Sequence, residues 1–87
     1  MLLAILAYTL KGLVVDSLSG EGVRGVEVLV DGKLVAETDE RGEFAVSALP
    51  GGMAELRLKR FGYESATVNL SLASDTFIKV KLSPKVF

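Results

Sequence analysis

The 87-residue chain contains no cysteine and no histidine. The first absence removes disulfides, thiolate nucleophiles and cysteine-based zinc sites. It leaves the compartment open, since many exported β-domains do without disulfides. The second absence removes the only side chain that titrates near neutrality unperturbed, together with the commonest metal ligand. A serine or threonine nucleophile would then need an unusual lysine base, and no motif supplies one. Phosphate loops of the Walker or dinucleotide type are also missing. Charge of neither sign dominates: 10 basic and 11 acidic residues leave a net charge of −1, with a pI of about 5.3. No global field is present to draw in nucleic acid.

Aromatic residues make up only 7% of the chain, so the 49% that is hydrophobic is mostly Val, Leu and Ala. With 24% charged residues the composition fits neither a disordered segment nor a membrane bundle. A chain of this length makes one domain, residues 1–87, and buries roughly 60–65% of the surface its unfolded form exposes. The longest apolar stretch, Met1 to Leu10 broken only by Thr9, is too short for a bilayer-spanning helix, which takes about 20 apolar residues. It also lacks the basic start and small-x-small cleavage site of a signal peptide. Residues 1–9 are read in three ways: a first strand running into 10–16, the tail of a hydrophobic leader, or an apolar arm that pairs with another subunit. An apolar strand of this kind aggregates if left uncovered, so each reading requires it to lie against something.

Beyond residue 10 the chain alternates apolar and polar positions between turn signals. Residues 10–16 place Leu10, Gly12 and Val14 on one face and Lys11, Leu13 and Val15 on the other, both largely apolar. A glycine-punctuated loop covers 17–25. Val26, Val28 and Val30 point inward on the next strand, 26–31. Asp31-Gly32 marks a two-residue hairpin to a strand over 33–38. A tight Asp39-Glu40-Arg41-Gly42 connection leads to a strand over 43–48 carrying Phe44 and Val46 inward, ended by Pro50. Met53–Arg60 shows the clearest period of two, with Ala54, Leu56 and Leu58 inward and Glu55, Arg57 and Lys59 outward. After a Phe61-Gly62-Tyr63 corner, Ala66, Val68, Leu70 and Leu72 face inward. Ile78, Val80 and Leu82 do so on a last strand over 76–82, and Ser83–Phe87 reads as an exit. No segment shows a helical apolar period. Seven short strands with closely spaced turns predict an all-β, antiparallel Greek-key sandwich, its inside row Val26/Val28/Val30 facing Leu56/Leu58 and Val68/Leu70.

The order of these signals resembles the carboxypeptidase regulatory-like domain, a member of the transthyretin-like (prealbumin-like) sandwiches. The resemblance rests on Gly12, Val14, Asp16, Gly20, Gly25-Val26, Val28, Thr38-Asp39, Gly42, Phe44, Leu49-Pro50, Gly51 or Gly52, and Gly62-Tyr63, spread over residues 10–70. It implies a seven-stranded sandwich serving as an accessory module on extracellular, periplasmic or cell-surface proteins. Such modules seldom catalyse. Hydrolases of the same superfamily use histidines, which this chain lacks, so their activity does not carry over. The apolar start lies outside the family pattern, and a cytoplasmic location stays open.

Four candidate sites emerge. Asp16, Asp39, Glu40 and Glu43 could offer oxygens to Ca²⁺, but no EF-hand-like spacing is present. The plainer reading is that Asp16 accepts loop N–H bonds and Asp39 caps the turn before Gly42. Arg57, Lys59 and Arg60, with Lys79, Lys81 and Lys85, form two basic runs that read as solvated faces and edge protection. Tyr63 could stack on a sugar, against a structural role with its hydroxyl bonded to backbone. Leu13, Val15, Leu29, Val35 and Phe77 would form an apolar patch if exposed together, unless residues 2–7 fold back over them; the candidate self-association interface is Leu3, Ile5, Leu13, Val15, Leu29 and Phe77. The expectation is a non-catalytic structural or protein-interaction module, without cofactor, small-molecule ligand or nucleic-acid partner, self-associating through its apolar amino-terminal strand. The alternative is a carbohydrate- or peptide-binding module using loops Asp16–Arg24 and Asp39–Glu43.

Overall fold

Each segment with a period of two becomes a strand, because alternate side chains then share one buried face. The structure is a computed structural model that describes residues 7–86. Seven strands follow in order: β1 (Ala7–Asp16), β2 (Glu27–Val30), β3 (Lys33–Glu37), β4 (Glu43–Pro50), β5 (Gly52–Lys59), β6 (Ala66–Leu72) and β7 (Thr76–Leu82). They form a three-stranded sheet, β4-β1-β7, and a four-stranded sheet, β3-β2-β5-β6. The all-β sandwich read from the sequence is what folds. Among the described residues only the β1–β7 pairing runs parallel, with Leu10 beside Thr76 and Val14 beside Val80. A parallel pair needs a long crossover, and here the whole chain between β1 and β7 supplies it by way of the other sheet.

The inward rows are those expected, with one correction to how they meet. Val28 lies beside Leu58 and Val30 beside Leu56, and Leu56 in turn lies beside Val68. These residues are lateral neighbours within the four-stranded sheet rather than opposing layers. The second half of the core comes from Leu10, Val14, Phe44, Val46, Val80 and Leu82 on the other sheet. Fully burying an aliphatic side chain contributes about 1.5–3 kcal/mol, so this shared interior is the main source of stability.

Two bulges adjust the pattern. On β4, Ser47 and Ala48 together oppose Thr9, with Ala48 at φ 59. The extra residue returns Leu49 to the core face, so β4 runs past residue 48 to Pro50. On β3, Val35 is the extra residue between the Val28–Ala36 and Leu29–Leu34 pairs. A bulge turns neighbouring side chains to one face. Val35 and Ala36 therefore both pack against the core, and Val35 does not join an outer apolar patch as expected. The Asp31-Gly32 hairpin forms with φ values of 49 and 82, as a type I′ turn requires.

Gly12 marks a close approach. A Cβ at this position would collide with the ring of Phe44, which lies across it. Gly12→Ala is therefore expected to destabilise the fold by about 1–3 kcal/mol through overpacking. Urea unfolding would show that loss, and Phe44→Leu in the same chain should recover part of it. Full stability in the single variant would mean that the ring can move aside freely.

Candidate functional site

The loops at the Asp16 end of β1 carry most of the polar side chains that the sequence singles out. Asp16 ends the strand, and its Oδ1 accepts the Leu18 N–H at 2.8 Å and the Ser19 N–H at 3.1 Å. Its Oδ2 accepts the Tyr63 hydroxyl at 2.8 Å. Tyr63 therefore bonds a carboxylate and not the backbone, correcting the sequence expectation. The Ser19 bond, then the Tyr63 and Leu18 bonds, hold the Asp16 carboxyl below the usual aspartate range. The same bond raises the Tyr63 phenol, helped by partial desolvation and the nearby negative charge.

Arg60 is drawn into this cluster. Its Nε donates to the Arg24 carbonyl at 2.6 Å and its Nη1 to the Phe61 carbonyl at 3.0 Å. Its guanidinium carbon lies 5.7 Å from the Tyr63 ring centre, within cation–π range. Arg60 is thus a structural strut, not part of a solvated basic run. Arg57, Lys59, Lys79, Lys81 and Lys85 are exposed. The tail turns back here as well, since Glu64 N–H bonds Ser83 O at 2.8 Å and Lys85 N–H bonds Gly62 O at 2.9 Å. It docks on the corner instead of leaving the domain directly.

Asp39 repeats the Asx logic of Asp16. Its Oδ1 accepts Arg41 N–H at 2.9 Å and Glu43 N–H at 3.0 Å, with the Glu43 bond the larger cause of its lowered pKa. The expected cap on the turn before Gly42 is present. Among the described residues no group of three or more acidic, histidine or cysteine side chains could hold a metal ion.

Thr38 is the polar residue that composition and spacing do not explain. It is buried at 5% exposure. Its hydroxyl donates to Val23 O at 2.6 Å and accepts Val26 N–H at 2.9 Å, pinning the long loop to the core. Nearby the 17–25 loop crosses the Asp39–Gly42 turn so closely that a Cβ on Gly22 would strike the Arg41 carbonyl.

The expected apolar interface does not assemble as one surface. Leu3 and Ile5 lie outside the described residues. Val15 is 4% exposed, enclosed beside the loop that bridges back at Gly22. Leu13 and Phe77 share the outer face of the three-stranded sheet, where Phe77 is 64% exposed. Leu29 belongs to the outer face of the other sheet, between Leu34 and Arg57. Strand β1 is also central, paired to β4 and β7 on its two edges, so its residues 10–16 have no edge left for a second copy. Two open depressions, of about 340 and 470 Å³, flank Lys11 and Phe77, and Glu37, Asp39 and Glu43 border the larger one.

Two measurements follow. Thr38→Val should cost about 1–3 kcal/mol for each of the two buried backbone groups it strands, with Thr38→Ser retaining most of the stability in urea unfolding. The depressed Asp16 and Asp39 carboxyls add stability that is full above the ordinary aspartate pKa of about 3.9 and is lost as pH falls through their folded values. Tyr63, raised, acts in the opposite direction and loses its contribution as pH climbs through its folded value. Melting temperature against pH should therefore fall on the acid side, and less steeply in Asp16→Asn/Asp39→Asn. An unchanged acid limb would remove these carboxylates from the account.

Solved structures with this fold include a type II cohesin–X–dockerin complex of Acetivibrio cellulolyticus (17% identity, 86% of this chain and 56% of that one, TM-score 0.73). A second is the shaft pilin SpaA of Lactobacillus rhamnosus GG (12% identity, 94% of this chain and 47% of that one, TM-score 0.69). A third is the 5-hydroxyisourate hydrolase of Klebsiella pneumoniae (19% identity, 91% of this chain and 92% of that one, TM-score 0.67). The chain spans about half the length of the pilin and of the complex component. No match was found among curated proteins. The carboxypeptidase regulatory-like domain model matches residues 9–83, most of the sandwich from β1 to the end of β7, and the chain belongs to that family.

Proposed function

We propose that this domain is a non-catalytic structural and protein-interaction module of an exported or cell-surface protein. The observation that carries the reading is how the polar side chains are used. Asp16, Asp39, Thr38, Tyr63 and Arg60 are each bonded to the chain's own backbone or to one another. Asp39 borders the depression beside Lys11 and Phe77, and Tyr63 and Arg60 border another near Lys85, yet each is held by these internal bonds and not by a neighbouring base or nucleophile. The loops named for carbohydrate or peptide recognition, Asp16–Arg24 and Asp39–Glu43, spend their aspartates on internal turns and hold no aromatic residue for stacking. A shaft pilin and a cohesin–dockerin complex component among the fold relatives are in keeping with a module that supports or joins proteins.

Hydrolysis is the competing reading, because the hydrolase relative is covered almost end to end. The missing histidine weighs against it. Incubation of the chain with 5-hydroxyisourate and with simple ester and amide substrates should give no turnover above the uncatalysed rate. Saturable turnover abolished by Asp16→Asn or Tyr63→Phe would replace the structural reading with a catalytic one.

A further inference from the structure

A sandwich with two open sheets has four edge strands, and here they are β4 and β7 on one sheet and β3 and β6 on the other. An edge offers unpaired N–H and C=O groups to any passing strand, and proteins blunt edges with charge, proline or bulges. Three of these edges carry such devices. Strand β4 has its bulge at Ser47–Ala48, Glu43 and Pro50. Strand β3 has its bulge at Val35 between Lys33 and Glu37. Strand β7 presents Lys79 and Lys81.

Strand β6 has none. Its sequence, Ala66-Thr67-Val68-Asn69-Leu70-Ser71-Leu72, holds no charge, proline or glycine, and it pairs with β5 in unbroken register along its whole length. Among the described residues, no loop or terminal segment bonds its other side. Its inward row is under-covered too. Ala66, Val68 and Leu70 are half-buried, whereas Leu56 and Leu58 beside them are fully enclosed. Across the open flank, Ile78 of β7 is also half-buried.

We propose that β6 is a pairing edge whose occupant is the β6 of a second copy, in a twofold antiparallel arrangement centred on Asn69. That register sets Val68 against the partner's Leu70 over the core. On the outer face it sets Thr67 against the partner's Ser71 and Asn69 against the partner's Asn69. Neutral hydrogen-bonding side chains meet and no like charges do. The same arrangement on β7 would bring lysines together, which disfavours that edge. Pairing two strands of this length joins the four-stranded sheets into one continuous sheet. A contact made by strand pairing alone is small, of the kind that holds weak, reversible complexes. The inference deepens the reading of the domain as an interaction module, and its test is separate from the turnover assay.

Sedimentation equilibrium of the full chain over a concentration series should show a monomer–dimer equilibrium. Asn69→Lys, at an exposed position, should weaken it at least tenfold with an unchanged melting temperature. Mixing Asn69→Lys with Asn69→Glu chains should restore association, because opposite charges then meet at the twofold axis. A chain that stays monomeric at millimolar concentration would overturn the proposal. So would a dimer indifferent to Asn69→Lys but lost when residues 1–6 are removed, which would assign the contact to the apolar start.

Discussion

The structure depends on one contact, the closure of two inward aliphatic rows against each other. Leu56, Leu58 and Val28 from one sheet, with Val26 just ahead of β2, and Leu10, Val14 and Leu82 from the other are almost wholly withdrawn from water. With few aromatics and no disulfide, the chain has little else to hold a domain this small together. Every departure from regular pairing serves that contact. The Ala48 bulge returns Leu49 to the interior, the Val35 bulge brings two side chains inward at once, and Gly12 leaves room for the Phe44 ring.

Polar groups then solve the problem that loops create at the ends of the sandwich. The 17–25 loop is long and glycine-rich, and its backbone groups would go unpaired wherever it meets the core. Thr38 satisfies a carbonyl and an N–H at its inner end, and Asp16 gathers two N–H groups at its outer end. Tyr63 and Arg60 link that loop to the corner after β5, where the tail also docks. What looks in sequence like a collection of ionisable candidates is, in three dimensions, a set of loop fasteners. That use of the polar groups is what supports the proposed reading of the domain as a structural and interaction module.

Much of this was legible beforehand because strand alternation is local. The inward rows of β5, β6 and β7 follow from a period of two, and the turns at Asp31-Gly32 and Asp39–Gly42 follow from residues that tolerate positive φ or cap their own backbone. The misreadings share a cause. Val35 and Val15 look outward if alternation is extended without interruption. A bulge on β3 turns Val35 inward, and a returning loop encloses Val15. Tyr63 and Arg60 were misassigned because their partners, Asp16 and Arg24, lie 47 and 36 residues away in the chain.

The amino-acid order by itself determined the all-β architecture, the strand count, the buried side of β2, β5, β6 and β7, and the lack of histidine or thiol chemistry, since each depends on neighbours in the chain or on composition. Only the tertiary structure decided which strands are central and which are edges, that β1 and β7 run parallel, and that Leu13 and Leu29 occupy opposite outer faces. It also decided that, among the described edge strands, β6 is the one without charge, proline or bulge. Those properties are set by long-range pairing between sheets, and periodicity carries no information about which strand lies beside which.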